Sequence, residues 1–141
     1  LWGTMHYMYE KKDLDKALAY ADAALEIHGE EARAQQASLS GFPPTDPPEA
    51  TYEYKTLNNV GLIALTRGEI LREMGDLAGA REAFTMVIED FGYAQVQDLG
   101  EWQGYLPSVA RDERGFLKLA DAAEALLVNL DELEAMEASE D

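Results

Sequence analysis

The chain has 141 residues, of which 47% are hydrophobic, so its length and composition favour a single folded domain spanning residues 1–141. It contains no cysteine, which excludes disulfides, thiol nucleophiles and cysteine-bound zinc. Its 28 acidic and 11 basic residues give a net charge of −17, which disfavours nucleic acid and anionic lipid as partners. The charge is typical of a solvated acidic surface, or alternatively of a preference for a basic partner.

No segment of the sequence has the character of a membrane span or of a signal peptide, since runs of 18 or more apolar residues and basic-then-apolar leaders are absent. The first residue is Leu1 rather than Met, so we expect the chain to be a fragment or a processed product. The cellular compartment is therefore left open: a cytoplasmic location is favoured, and a periplasmic one is the alternative.

Helix-forming residues dominate and no period-two pattern stands out, so we predict an all-α fold. Residues 3–11 form a short aromatic-rich segment. From Leu14 onward, apolar residues recur at helical spacing and predict a helix that ends at Gly29 or continues to Leu39. In the second case Gly41 stands where a left-handed C-cap is expected.

A proline-rich loop at residues 41–48 comes next and excludes regular helix there. Asp46 and Glu49 form an Asp-x-x-Glu pattern at its end, which is typical of a helix N-terminus. We therefore predict a long helix over residues 47–74, with Asp46 as its N-cap.

The break at Gly75-Asp76 predicts a new helix over residues 77–91. Beyond it we predict a short helix at residues 94–103 and a C-terminal helix at about residues 111–137. The apolar stripe of this last helix comprises Phe116, Leu119, Ala123, Leu126, Leu127, Leu130 and Leu133.

One sequence pattern occurs twice: "GDLAGAREAF" at residues 75–84 has a weaker echo, "KDLDKALAYA", at residues 12–21. Around the first copy, small and large residues stand at set positions: Gly68, Leu71, Ala80 and Phe84. This pattern resembles the tetratricopeptide repeat (TPR), a helix–turn–helix unit of about 34 residues. The resemblance covers one well-matched repeat at about residues 61–93 and one degenerate repeat at about residues 1–31.

The resemblance implies antiparallel helix hairpins stacked in a right-handed superhelix, with Gly68 and Ala80 where two helices touch. The two copies of the pattern are 63 residues apart at Asp13 and Asp76, which is too far for tandem repeats. We therefore expect a helical insertion at about residues 30–60, and we expect the C-terminal helix to cap the stack.

The resemblance also implies a function, since TPR-like proteins commonly bind partners in a groove lined by the first helix of each repeat. The positions that face this groove are Trp2, His6, Tyr9, Leu65, Glu69 and Arg72. They predict a non-catalytic scaffold that binds a protein or peptide partner. The alternative is that the insertion or the C-terminal helix fills the groove, which would place the binding surface around Phe42 in the proline loop.

No catalytic, cofactor-binding or metal-binding residues are indicated, since there are two histidines and no phosphate-binding loop. Asn58 and Asn59 raise the question of a TPR carboxylate clamp, but the clamp's basic positions are Leu62 and Thr66 here, so that pattern is missing. We therefore predict no enzymatic activity and no cofactor. The alternative function is an accessory domain of a larger enzyme, for example a hydrolase. Self-association stays open.

Overall fold

The computed structural model describes residues 2–5, 13–98 and 106–140. Within these ranges the chain is predominantly helical, as the sequence predicts. The elements follow in the order α1 (Trp2–Met5), α2 (Leu14–Ala37), a 3₁₀ helix (Pro48–Tyr54), α3 (Lys55–Glu73), α4 (Leu77–Asp90), β1 (Gln95–Gln97), β2 (Phe116–Lys118) and α5 (Leu119–Glu140).

Each long helix packs mainly on its neighbours in sequence: α2 on α3, α3 on α4, and α4 on α5. The central helix α3 therefore has most of its residues buried. The large side chains that are fully buried include Phe84, Phe91, Leu57, Leu65, Ile70, Leu117, Leu119 and Leu130. The apolar stripe predicted for the C-terminal helix supplies one wall of this core, from Leu119 to Leu130.

Three residues, Met74, Gly75 and Asp76, separate α3 from α4, and Gly75 and Asp76 complete the two helix ends. Gly75 has φ of 86°, which glycine adopts without strain, and the N–H of Asp76 donates to the carbonyl of Leu71 at 2.9 Å. The carboxylate of Asp76 in turn accepts from the N–H of Gly79 at 2.9 Å, which caps α4. The predicted hairpin at residues 61–92 is confirmed.

The first copy of the pattern has the same local structure. Asp13 caps α2 by accepting from the N–H of Lys16 at 3.2 Å, as Asp76 does for α4. The preceding helix α1 lies against α2, where an added Cβ at Gly3 would be 2.7 Å from the ring of Tyr20. Residues 6–12, which would complete this hairpin, lie outside the described residues.

The helix α2 takes the longer of its two predicted courses, running through Gly29 to Ala37. The expected left-handed cap at Gly41 is wrong: the helix ends three residues earlier, with Ser38 at its C-cap and with φ of −78°. The extended α2 is tied to the start of α3, because Gln35 Oε1 accepts from the N–H of Leu57 at 2.8 Å. The neighbouring helix thereby satisfies one of the backbone donors that the first turn of α3 leaves free.

The predicted start of the long helix at Asp46 is also wrong. Residues 48–54 form a 3₁₀ helix, and α3 begins at Lys55 without a side-chain cap. The carboxylate of Asp46 lies 2.7 Å from the guanidinium of Arg114 instead. Asp46 therefore joins the proline loop to the segment before β2.

Two predicted helical stretches contain strands. Within the described residues, β1 replaces the helix predicted at residues 94–103, and the C-terminal helix begins at Leu119 rather than near residue 111. Val96 is paired with Leu117 in the antiparallel ladder of β1 and β2, and Arg111 forms an isolated bridge to Leu117 from the other side. Consequently β2 has pairing partners on both edges, whereas β1 is paired on one edge among the residues that the structure describes.

Candidate functional site

An open groove of about 540 Å³ separates the start of α3 from β1. We call it the β1 groove. Its volume is within the range of about 300–1,000 Å³ that is usual for ligand sites. It is lined by Pro48, Thr51, Tyr52, Lys55, Asn58, Asn59, Gln95, Val96, Gln97 and Phe116.

The helical wall of the β1 groove carries a lysine and two side-chain amides. Lys55 and Asn59 are one turn apart on α3 and share a face. Lys55 is exposed, and among the described lysines and arginines it is the one side chain with no hydrogen bond, ion pair or ring contact. Asn59 likewise has no hydrogen-bond partner within the described ranges. Both side chains are thus available to a ligand.

The opposite wall is the outer edge of β1. The N–H of Leu119 donates to the carbonyl of Ala94 at 3.1 Å, and the N–H of Asp98 donates to the carbonyl of Gly115 at 2.8 Å. Because bonding alternates along an antiparallel strand, the peptide groups of Gln95 and Gln97 face away from β2. The N–H of Gln95 confirms this direction, since it donates to Oδ1 of the buried Asn58 at 3.0 Å.

Packing below the groove holds the two walls at a fixed separation. An added Cβ at Gly61 would lie 2.6 Å from the Cβ of Ala94 and 3.2 Å from Leu119, so β1 and α5 both begin close against α3. Gln95 Nε2 donates to the carbonyl of Pro43 at 3.1 Å, which fastens the proline loop to β1.

The proline loop is held further by Phe42, whose ring meets that of Tyr93 edge-on at 5.2 Å between centroids. The ammonium of Lys118 lies 4.4 Å from the centre of the Phe42 ring. Phe42, the alternative binding position in the sequence interpretation, is still 39% exposed. It is therefore an anchor of the loop that keeps part of its ring at the surface.

The carboxylate of Asp112 joins the proline loop to the start of β2 by accepting three hydrogen bonds. Its carboxylate accepts from the N–H groups of Arg114 and Phe116 at 2.8 and 2.9 Å, and from the hydroxyl of Thr45 at 2.8 Å. Partial burial alone would raise the pKa of Asp112, but the hydrogen bonds from Phe116, Thr45 and Arg114 outweigh it and hold the pKa below its ordinary value. The folded state therefore prefers the ionised carboxylate.

This preference predicts a pH dependence of stability. Because the pKa of Asp112 is depressed in the folded chain, its contribution is complete above the ordinary value of 3.8 and is lost as the pH falls through the folded-state pKa. We expect Asp112→Asn to be less stable than the natural chain at about pH 5 and the difference to shrink toward about pH 2.5. Chemical denaturation across this range measures it, with Glu132→Gln as the exposed control. If the difference in stability between the two proteins did not change with pH, the pKa of Asp112 would not be depressed by folding.

The residues that the sequence placed in a partner-binding groove are not brought together on an open surface. Leu65 is 1% and Glu69 7% exposed, so the expected exposure of these positions is wrong. Arg72 is half-buried, and its guanidinium donates to Oδ1 of Asn129 on α5 at 2.9 Å. His6 and Tyr9 lie outside the described residues, as does the side chain of Trp2. The cause is the position of α3 between α2 and α4, with α5 in contact at Gly61 and at Arg72.

The groups that line the β1 groove are binding groups: amides, one ammonium, a phenol hydroxyl, and the apolar surfaces of Val96 and Phe116. Within the described ranges no three His, Asp or Glu side chains converge in a way that would hold a metal ion. Nor does any described helix combine the length and apolar character that crossing a bilayer requires.

The sequence interpretation missed Lys55, Gln95 and Gln97, and it considered Asn58 and Asn59 solely for the carboxylate clamp. The available signal was the alternation Gln95-Val96-Gln97, which has strand periodicity but extends over three residues. So short a run is indistinguishable from a helical segment without knowledge of its partner strand.

Comparison of the chain with protein-family models, curated proteins and solved structures found no match. The candidate function is therefore argued from the geometry of the β1 groove.

Proposed function

We propose that this chain is a protein-interaction module that binds a peptide segment of a partner in the β1 groove. The observation that carries the proposal is the backbone edge of β1, which has no pairing strand among the described residues and faces Lys55 and Asn59 across a groove of about 540 Å³. Unsatisfied peptide groups on one wall and free side-chain donors on the other match the hydrogen-bonding needs of another peptide. Tyr52, 69% exposed at the rim, adds an aromatic contact of the kind that is common at interfaces.

The fold that carries this groove is, in our proposal, a divergent TPR-type stack of helix hairpins. Three features support it: α2 to α5 pack in chain order, Asp13 and Asp76 cap equivalent helices, and Gly68 lies directly against Phe84 across the second hairpin. Under this proposal α5 caps the stack, and the segment from residue 38 to 54 is the insertion that, together with β1, forms the groove.

The overall charge of the chain determines which charge of partner it prefers. A net charge of −17 attracts a segment that is basic overall, and it accelerates association with such a segment at low ionic strength. This effect fades as the screening length shortens to about 8 Å near 0.15 M salt. The surface charge thus influences the rate of encounter, and the groove determines which segment stays bound.

A library of random twelve-residue peptides displayed on phage tests the proposal. We expect the 141-residue chain to enrich peptides that bind it in solution, and Asn59→Trp, which fills the groove, to weaken their binding by about tenfold or more. The matched control is Glu82→Trp on the exposed side of α4, which should leave binding unchanged. Thermal melting of both variants shows that they fold.

Two outcomes would overturn the proposal. One is a selection that enriches no peptide beyond the level seen with an unrelated acidic protein. The other is enriched peptides that bind Asn59→Trp as tightly as Glu82→Trp, since the binding surface would then lie elsewhere on the chain.

A further inference from the structure

We infer that the ligand of the β1 groove is an extended segment that adds to β1 as a new strand and places one Asp or Glu side chain against Lys55. This inference rests on the proposed function and specifies how the bound peptide is recognised. It depends on the hydrogen-bonding state of β1, on the shape of the groove and on the charges at its helical wall.

The outer edge of β1 leaves three consecutive backbone groups without a partner among the described residues. Gln95 and Gln97 each direct one N–H and one carbonyl away from β2, which makes four groups. The first of them, the N–H of Gln95, donates to Oδ1 of Asn58. The three that remain are the carbonyl of Gln95 and the N–H and carbonyl of Gln97. A peptide in extended conformation presents donors and acceptors at the same spacing and so completes all three hydrogen bonds.

The other edges of this small sheet are already paired. β2 pairs with β1 on one side, and on the other the N–H of Asp112 donates to the carbonyl of Phe116 at 3.0 Å. A ligand strand is therefore directed to β1 and not to β2. Because Asn58 closes the end of the β1 edge nearest Ala94, the ligand strand pairs with the carbonyl of Gln95 and with Gln97.

Residues from both faces of β1 line the groove, which is the arrangement that a site on a strand edge requires. Successive side chains of a strand point to opposite faces, so those of Gln95 and Gln97 differ in direction from that of Val96, yet all three residues line the same open space. A ligand that packed on one face of the sheet would meet either the two glutamines or the valine.

The charge of the ligand is inferred from Lys55. Every arginine in the described ranges donates to a carboxylate, a carbonyl or an amide oxygen, whereas Lys55 has no partner and stands on the groove wall beside Asn59. A carboxylate from the ligand supplies the missing partner and accepts from both side chains. Since the chain as a whole carries −17, we expect one such carboxylate in a segment that is otherwise neutral or basic.

The test uses peptides selected on the β1 groove by phage display and then synthesised with amidated C-termini. Methylation of single backbone nitrogens removes one donor at a time without altering the protein. We expect it to weaken binding by about tenfold at alternating positions and by less than about twofold between them. Loss of affinity without this alternation would overturn strand addition while leaving the groove as the binding site.

The carboxylate is tested by a double-mutant cycle. Replacing the single Asp or Glu of the ligand by its amide is expected to weaken binding to the natural chain by about threefold to fivefold. The same replacement should leave binding to the Lys55→Gln variant unchanged. Lys16→Gln, which removes the same charge from an exposed position on α2, should behave like the natural chain. An equal loss in all three proteins, or peptides that bind only with a free C-terminal carboxylate, would overturn the assigned pairing with Lys55.

These results separate the inference from the proposed function. If no selected peptide depends on Asn59, the proposed function fails and the strand addition fails with it. If the peptides depend on Asn59 but show neither the alternation nor the coupling to Lys55, only the inference fails.

Discussion

Replacing Gly68 with alanine is expected to lower the free energy of unfolding by about 1–3 kcal/mol. Gly68 lies on α3 where α4 comes closest, and an added Cβ would stand 2.6 Å from Cδ1 of Phe84, in direct conflict with the ring. Phe84 is fully buried, so the ring has no free space into which it can turn. Either the two helices move apart or the ring leaves its preferred rotamer, and both lower stability. Urea denaturation of the variant measures the change.

The same substitution at Gly29 is the matched control, because Gly29 is also in the middle of a helix. There an added Cβ would meet only the end of the flexible Arg33 side chain, 2.9 Å away. We expect Gly29→Ala to raise stability by about 0.5–1 kcal/mol, since alanine is the better helix former. If Gly68→Ala proved as stable as Gly29→Ala, the close approach of α3 and α4 at Gly68 would be wrong.

Local signals in the sequence predict most of the helical part of this fold. The turn at Gly75-Asp76 is specified by a glycine that accepts a positive φ and by an aspartate that caps the next helix, and both effects act within a few residues. Gly68 is expected from the sequence to lie where two helices touch, and it does lie against Phe84 of α4. Such features depend on neighbours that the sequence itself shows.

The parts that the sequence does not predict depend on distant residues. The carboxylate of Asp46 has the right position to cap a helix, but it pairs with Arg114, far away in sequence. The strands β1 and β2 have three residues each and become strands by pairing with one another across the residues between them. Their periodicity is too short to detect, and intrinsic strand propensity is easily overridden by context.

The candidate site differs from the predicted one for a related reason. A repeat pattern assigns Leu65 to an open groove on the assumption that neighbouring repeats stack in register. Here α2 continues past the end of the first repeat that the sequence predicts, and Gln35 bonds to the start of α3. Lys55 is exposed at the start of α3 and Asn59, one turn on, is partly exposed, and the groove forms between these residues and β1.

The guanidinium of Arg111 makes several contacts next to the end of β1. One of its nitrogens donates to the carbonyls of Leu106 and Val109 at 2.8 and 2.7 Å, and the other lies 3.4 Å from the carboxylate of Asp98. The side chains of this ion pair are 19% and 11% exposed. Arg111 thus joins the residue that comes directly after β1 to the segment that leads into β2.

We expect Arg111→Met to lower the free energy of unfolding by about 2–3 kcal/mol, because it removes one donor from a mostly buried carboxylate and from two carbonyls. The control is Arg114→Met, whose ion pair with Asp46 is 35% and 70% exposed and should contribute less than about 1 kcal/mol.

The amide of Asp98, which bonds to Gly115 at the end of the ladder, reports the local effect. Its hydrogen exchange should become faster in Arg111→Met than in Arg114→Met, and peptides selected on the β1 groove should bind more weakly. If Arg111→Met left both the exchange of this amide and the binding unchanged, the β1 edge would be maintained by other contacts, and Arg111 would stabilise only the loop that it closes.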